Sequence, residues 1–315
     1  MVSFSLFSNI LSEPPSHPTL RLDKCLRRRL NTNRCKRCVA RCPSGALSES
    51  NREIHLDETQ CTGCMSCVAE CPQEALVSTF DIDGILRSSQ KEENIVISCV
   101  NQTQRHPGEI PVPCVGLFSK QVLTALLFSD YRSIVFNVAG CAECCNRKAT
   151  HSFFADCAQL DDIFSGISQA KIILAHKDEQ ANTPIADRRS YLKKVRKLTT
   201  DVTRKYFSSD YSARIEEKKT HRVPYKTRLI KNLVLNVDKE SSEKISTLFG
   251  HSLSINQKCD CCPLCKGICP TGAIKRESFQ GKKKLKFNML KCTGCGLCVE
   301  FCKKGALSLK TTSKP

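Results

Sequence analysis

Tryptophan is absent from the 315 residues, and aromatic side chains make up only 6% of the chain. With hydrophobic residues at 40%, this argues for several small cores rather than one large one. The length allows two or three domains. No apolar run approaches the ~20 residues that cross a bilayer. No Lys or Arg precedes Arg21, so the opening "MVSFSLFSNILSEPPSHP" lacks the charged region of a secretory signal, and no twin-arginine signal is present. No Gly-x-Gly-x-x-Gly opens a helix after a strand, which argues against a nucleotide or flavin site. No Walker loop, zincin motif or Ser/His/Asp arrangement stands out. His55, His106, His151 and His251 are scattered and read as structural or exposed. No helix-turn-helix, RNA-recognition or zinc-finger pattern is present either.

What the chain does have is cysteine, 23 residues in all. A disulfide framework fits poorly, because the number is odd, the chain is long and no signal peptide opens it. The expectation is a reducing cytoplasm, where clustered cysteines carry metal or redox chemistry. The formal net charge of +18 suggests an acidic partner, either nucleic acid or an acidic protein surface. Cluster charge offsets part of it. An oxidised [4Fe–4S] core on four thiolates carries roughly −2, so four such clusters would bring the total to about +10. The basic excess is therefore weak evidence for nucleic acid.

The cysteines repeat. "CDCCPLCKGICPTGAI" contains Cys259-x2-Cys262-x2-Cys265-x3-Cys269-Pro270, and "CTGCGLCVEFCKKGAL" contains Cys292-x2-Cys295-x2-Cys298-x3-Cys302. Near the N-terminus, "CTGCMSCVAECPQEAL" supplies Cys61, Cys64, Cys67 and Cys71 at the same spacing. A fourth stretch, "TNRCKRCVARCP", has Cys35, Cys38 and Cys42 but Thr32 where the first cysteine of the motif would stand. A tight Cys-x2-Cys-x2-Cys loop wraps three corners of a cubane, and the fourth cysteine leaves the loop for the other cluster of a pair. Zinc needs four ligands, commonly two separated Cys-x2-Cys pairs, and does not suit this pattern.

These motifs resemble the two-cluster bacterial ferredoxins over about 50–60 residues at each end. The resemblance implies Cys259, Cys262, Cys265 and Cys302 on one cluster, and Cys292, Cys295, Cys298 and Cys269 on another. Lys303 replaces the usual Pro without removing a ligand, and Cys261 is extra and read as a bystander. At the N-terminal pair it implies Cys61, Cys64, Cys67 and Cys42 as one set. The other set has Cys35, Cys38 and Cys71 and needs a fourth member. Cys25, ten residues before Cys35, is the expected ligand, since "LRRRLNTN" is long enough to loop over the cluster face. Two alternatives remain at this point: a three-iron cluster with Cys25 idle, or an oxygen ligand such as Asp23. Arg27, Arg28, Arg29, Arg34, Arg37 and Arg41 crowd this site. They would raise the cluster's potential by favouring its more negative reduced form, form a landing patch for an acidic partner, or be ordinary surface arginines.

Between the modules, "NIVIS" (94–98), "EIPVP" (109–113), "SIVFNV" (133–138) and "KIILAH" (171–176) read as strands, the second an edge strand. "SKQVLTALLFSD" (119–130), with a Ser N-cap, and 143–167 read as helices. Alternation of this kind predicts a small, mostly parallel α/β sheet. Cys99, Cys114 and Cys141 follow three of these strands, with Cys144 and Cys145 beside the last, and ligands gather at the carboxyl ends of strands in such sheets. The residues leave open a metal or cluster site, a redox-active thiol pair, or buried structural cysteines. Cys157, mid-helix, reads as core. The stretch 94–176 is similar to the small iron–sulfur subunit linking methyl-viologen-reducing hydrogenase to heterodisulfide reductase, through the strand-end cysteine, "PCVG" and a later Gly-Cys strand end. That resemblance implies a [2Fe–2S] cluster on Cys99, Cys114, Cys141 and either Cys144 or Cys145.

The fold class expected is therefore α+β, with ferredoxin-like 2[4Fe–4S] modules at both ends, a central α/β parallel-sheet domain and a helical connector. The boundaries are 1–21 for an extension, 22–88 for the first module and 89–177 for the central domain. The basic connector takes 178–254 and the second module 255–315. In the connector, Tyr191, Leu192, Val195, Leu198, Val202 and Tyr206 recur at helical spacing, a second helix covers 225–249, and the segment is expected to pack on one module. Four [4Fe–4S] clusters, a [2Fe–2S] site and no visible substrate chemistry predict an electron-relay subunit of a larger oxidoreductase assembly, without a membrane span. Its partner would be an acidic redox protein or a catalytic subunit rather than nucleic acid. A thiol/disulfide oxidoreductase using the central cysteines and a redox-sensing regulator are the other two classes.

Overall fold

The computed structural model describes residues 17–90, 92–101, 108–176 and 222–312. The helix expected on 191–206 lies outside the described residues, as do His106 and most of the extension 1–21.

The N-terminal module begins with β1 (Thr19–Leu20) and the single turn α1 (Leu26–Arg29). It continues through α2 (Arg37–Arg41), β2 (Leu47–Ser50), β3 (Glu53–Leu56), α3 (Ser66–Glu70) and β4 (Leu76–Val77). β1 pairs with β4, and β2 with β3, both antiparallel. The β2–β3 hairpin turns through Asn51 and Arg52, both at positive φ, the backbone that matches the twist of the two strands. Leu47, Ile54, Ala75 and Leu76 form a small core among Cys38, Cys67 and Cys71. A core this small cannot hold the module alone, so the thiols and what they bind are part of it.

Helix α4 (Ile82–Ser88), capped by the Asp81 side chain accepting from Gly84 N, leads into the central domain. There β5 (Asn94–Cys99), β6 (Ile110–Val112), β7 (Ser133–Asn137) and β8 (Lys171–Ala175) form one parallel sheet in the order β6-β5-β7-β8. β6 takes the edge, where Pro111 removes no interior ladder bond. Helix α5 (Lys120–Leu127) starts at Ser119, whose hydroxyl accepts from Val122 N. Helix α6 (Arg147–Phe164) starts four residues later than its pattern suggested, so Cys144 and Cys145 lie in the turn before it. Phe118, Phe136 and Phe153 stack edge-to-face at 5.0 Å in the largest core. Each such buried ring contributes ~1.5–3 kcal/mol.

The helix expected over 225–249 is two, α7 (Tyr225–Asn236) and α8 (Lys239–Phe249). Asp238 divides them: its side chain accepts from Ser241 N and caps α8. Their Ile230 and Ile245 belong to the core of the central domain, so the pair does more than pack on one cysteine-rich module. The C-terminal module repeats the first. β9 (His251–Ile255) pairs with β12 (Leu307–Thr311), and β10 (Ile274–Phe279) with β11 (Lys282–Phe287). The short helices α9 (Leu264–Ile268) and α10 (Leu297–Glu300) stand where α2 and α3 stand in the first module. Among the described residues no helix is long and apolar enough to cross a membrane.

Candidate metal centres

None of the cysteines is in a disulfide. Cys25, Cys35, Cys38 and Cys71 line one apolar cavity closed by Leu20, Leu26 and Ile54. Cys25 enters from the turn before α1, Cys35 and Cys38 from the start of α2, and Cys71 from the end of α3. Burial pushes the Cys38 thiol up to about 12, and the neighbouring Cys71, Cys35 and Cys25 push the same way. Asp23 is exposed and faces Arg21, outside this cavity. Thr32, at the motif's usual first position, points elsewhere: its hydroxyl donates to Glu300 at 2.7 Å.

The other sets assemble likewise. Cys67 is raised by burial and by the nearby Cys64, Cys38, Cys42 and Cys61, so it also lies close to the first set. Cys298 is raised to about 12 by burial and by Cys295, Cys292 and Cys269. Cys265 is raised by burial and by Cys262 and Cys259, and Cys302 packs in the same cluster as Cys259 and Cys265. Four sets of four thiols, each with at least one buried member, suit the thiolate corners of [4Fe–4S] clusters, because bound iron offsets the charge that burial resists. Among the described residues no three His, Cys, Asp or Glu side chains gather closely enough to hold a single metal ion.

Backbone donors serve the sulfurs. Ala75 N, Ala273 N and Ala306 N donate to Cys71, Cys269 and Cys302 Sγ at 3.2, 3.3 and 3.3 Å. In each case the residue before the alanine has positive φ: Glu74 at 53°, Gly272 at 64° and Gly305 at 56°. That bend turns the amide back on its own sulfur, and such hydrogen bonds tune a cluster. Cys261 takes the left-handed position (φ 55°) that Gly63 and Gly294 hold in the matching loops. Its thiol donates to Lys283 O at 3.1 Å, tying the loop to β11.

The central cysteines meet at the carboxyl edge of the sheet. Cys99 ends β5, Cys114 follows β6 and Cys141 follows β7, all three buried. Cys114 is raised by a hydrogen bond with Cys99 and by burial. Cys141 is raised to about 11 by burial, with Cys99 and Cys144 adding to it. Asn101 N, Gly116 N and Asn146 N each donate to a sulfur, on Cys99, Cys114 and Cys144, at 3.4 Å. The structure thus brings Cys99, Cys114, Cys141 and Cys144 together. Cys145 is exposed, and Cys157 is buried in α6 away from the group.

Residues beside the cysteines join one set to the next. Ser66, two positions after Cys64, donates to Gly116 O and Ala149 O at 3.4 Å. Thr62 Oγ1 donates to Asn146 Oδ1 at 2.5 Å. Gly116 permits this approach, since a Cβ there would lie 2.5 Å from Ser66 Oγ. At the opposite side, Gln73 Nε2 donates to Thr293 Oγ1 at 2.6 Å and Arg29 Nε to Ile268 O at 2.8 Å. Asn33 Nδ2 donates to Glu300 at 2.9 Å. These contacts link the surroundings of Cys25, Cys35 and Cys71 to those of Cys269, Cys292 and Cys298. No sequence pattern marks Gln73, Thr293 or Glu300, whose partners lie more than 200 residues away.

Three of the six N-terminal arginines, Arg27, Arg28 and Arg29, have partners inside the molecule, while Arg34 and Arg37 are exposed. Arg27 pairs with Glu49 at 2.5 Å, Arg28 with Glu53, and Lys36 with Glu49 at 2.6 Å. Lys226 was not anticipated. Only 9% exposed, it donates from Nζ to Val68 O and Ala69 O at 3.0 and 2.6 Å, capping the end of α3 just before Cys71.

Residues 32–76 match one family model of the 4Fe-4S dicluster domain, and residues 258–306 match another. No curated protein and no solved structure matches the chain. The chain therefore carries two ferredoxin-type 4Fe-4S dicluster domains with four [4Fe–4S] clusters, on either side of a mixed α/β region with a parallel sheet. These are iron–sulfur electron-transport modules.

Proposed function

We propose that the chain is a one-electron relay within a larger oxidoreductase assembly, and that its cysteine sets form a single conduit. A bound [4Fe–4S] cluster takes up and releases one electron. The chain's part is to hold successive thiol sets side by side and keep water from between them. The order we assign starts at Cys99, Cys114, Cys141 and Cys144, then passes to Cys42, Cys61, Cys64 and Cys67. It continues to Cys25, Cys35, Cys38 and Cys71, then to Cys269, Cys292, Cys295 and Cys298, and ends at Cys259, Cys262, Cys265 and Cys302. The domain boundaries follow the same division. At the first position we assign a [2Fe–2S] cluster. Four thiols from three strand ends, each of three sulfurs met by a backbone N–H, support that assignment.

One observation carries the reading: both junctions are made by residues within a few positions of assigned ligands. Thr62 and Ser66 flank Cys64 at one; Gln73 and Thr293 follow Cys71 and Cys292 at the other. Electron paramagnetic resonance of the fully reduced chain tests it. Adjacent reduced clusters should broaden each other's signals, and coupling should extend from one module to the other. Separate, uncoupled spectra for the two modules would contradict a single conduit.

A further inference from the structure

The two modules differ sharply in charge. Residues 22–88 hold ten Lys and Arg against nine Asp and Glu, a net of +1, whereas residues 255–315 hold thirteen against three, a net of +10. Four of the first module's cations, Arg27, Arg28, Lys36 and Arg87, also pair with nearby carboxylates. In the second module Lys258, Lys266, Lys283, Lys284 and Lys303 are exposed. Among the described residues none of these five forms an ion pair; only Lys304 and Lys286 do, with Asp260 and Glu277. The lysines sit next to Cys259, Cys265 and Cys302 in the chain, or on β11, whose Lys283 carbonyl holds the Cys261 thiol. Cys259 and Cys262 are only half-buried there. Unpaired charge of one sign thus surrounds the place where the outermost thiol set comes nearest to solvent.

We propose that this lysine face, and not the arginine-rich N-terminal stretch, is the docking surface for an acidic one-electron carrier protein. The proposal rests on the relay reading. Complementary charge steers the carrier to the last thiol set of the conduit and raises the encounter rate. Free lysines suit this role because they cost no internal ion pair when a partner covers them. In the transfer, one electron leaves the reduced chain and reduces the carrier's centre, and no atom or proton moves.

The test uses the full chain, purified without oxygen and reduced with dithionite. It is mixed in stopped flow with oxidised cytochrome b5, an acidic haem protein whose ferric iron becomes ferrous, and separately with an uncharged quinone. The expected rate with cytochrome b5 falls as salt is added. It should fall at least tenfold in the triple variant Lys266→Glu, Lys283→Glu, Lys284→Glu, while the quinone rate and the iron content stay within twofold. An unchanged cytochrome b5 rate in the variant, or a salt-independent rate in the parent chain, overturns the docking face. Salt-sensitive binding of a DNA duplex that the variant loses, with transfer to cytochrome b5 intact, would reassign the face to nucleic acid and also overturns it. If the quinone is not reduced either, the relay reading has failed instead.

Discussion

Exchanging the Cys25 thiol for a hydroxyl leaves the cavity at the first module with three thiols, Cys35, Cys38 and Cys71. Cys25→Ser should therefore remove one cubane or convert it to a three-iron form. The iron count would drop by about one to four from a total near sixteen, with a changed signal for one cluster in four. An unaltered count and spectrum would show that Cys25 is idle. At the central sheet the expected asymmetry lies between neighbours. Cys144→Ser should abolish the central centre's signal, whereas Cys145→Ser should leave it, because Cys145 is exposed. Equal effects of the two changes would refute the proposed ligand set. The paired motifs were legible because a cubane demands thiolates at fixed short spacing. Cys25 stood out in the sequence only as the nearest spare thiol. The sequence could not choose between Cys144 and Cys145, since the two are adjacent in a turn whose side-chain directions no periodicity encodes. Glu74 in a left-handed bend, where the matching loops use glycine, was invisible for the same reason.

At the level of elements, Lys226 is where helix α7 meets α3. Lys226→Met should leave Val68 O and Ala69 O without their donor and remove a buried positive charge near Cys71. We expect ~1–3 kcal/mol of destabilisation and a lower potential for the adjacent cluster, because a nearby cation favours the more negative reduced state. Redox titration monitored by electron paramagnetic resonance reads the second effect, and an unmoved potential would contradict it. Packing against the central domain also sets a pH response. Burial raises the Cys157 thiol from 9.0 to about 12 and the Tyr131 phenol from 10.0 to about 12. Tyr131 donates to Ile85 O at 2.6 Å and thereby ties α4 to the sheet. Both groups must stay protonated in the fold. Their contribution is whole below pH 9; that of Cys157 is lost between pH 9 and 12, and that of Tyr131 between pH 10 and 12. Denaturant midpoints should be lower at pH 11 than at pH 8, and equal midpoints would count against it. The strands were readable from their short apolar runs, and α5 from its Ser cap. The division of α7 from α8 was not, because Val237-Asp238 interrupts an apolar spacing that continues across it.

For the whole molecule, the repeat in the sequence foretold two similar modules but not how they face each other. That depends on pairs such as Gln73–Thr293 and Thr32–Glu300, single polar contacts between distant segments. Nor does the net charge of +18 reveal how unequally the two modules share it, +1 for 22–88 against +10 for 255–315. The most direct measurement is quantitation of iron and acid-labile sulfide on the full chain purified without oxygen. About sixteen irons with matching sulfide is the result for four cubanes, and about eighteen if the central thiols also hold a two-iron centre. Colourless protein carrying zinc and no labile sulfide would contradict the account.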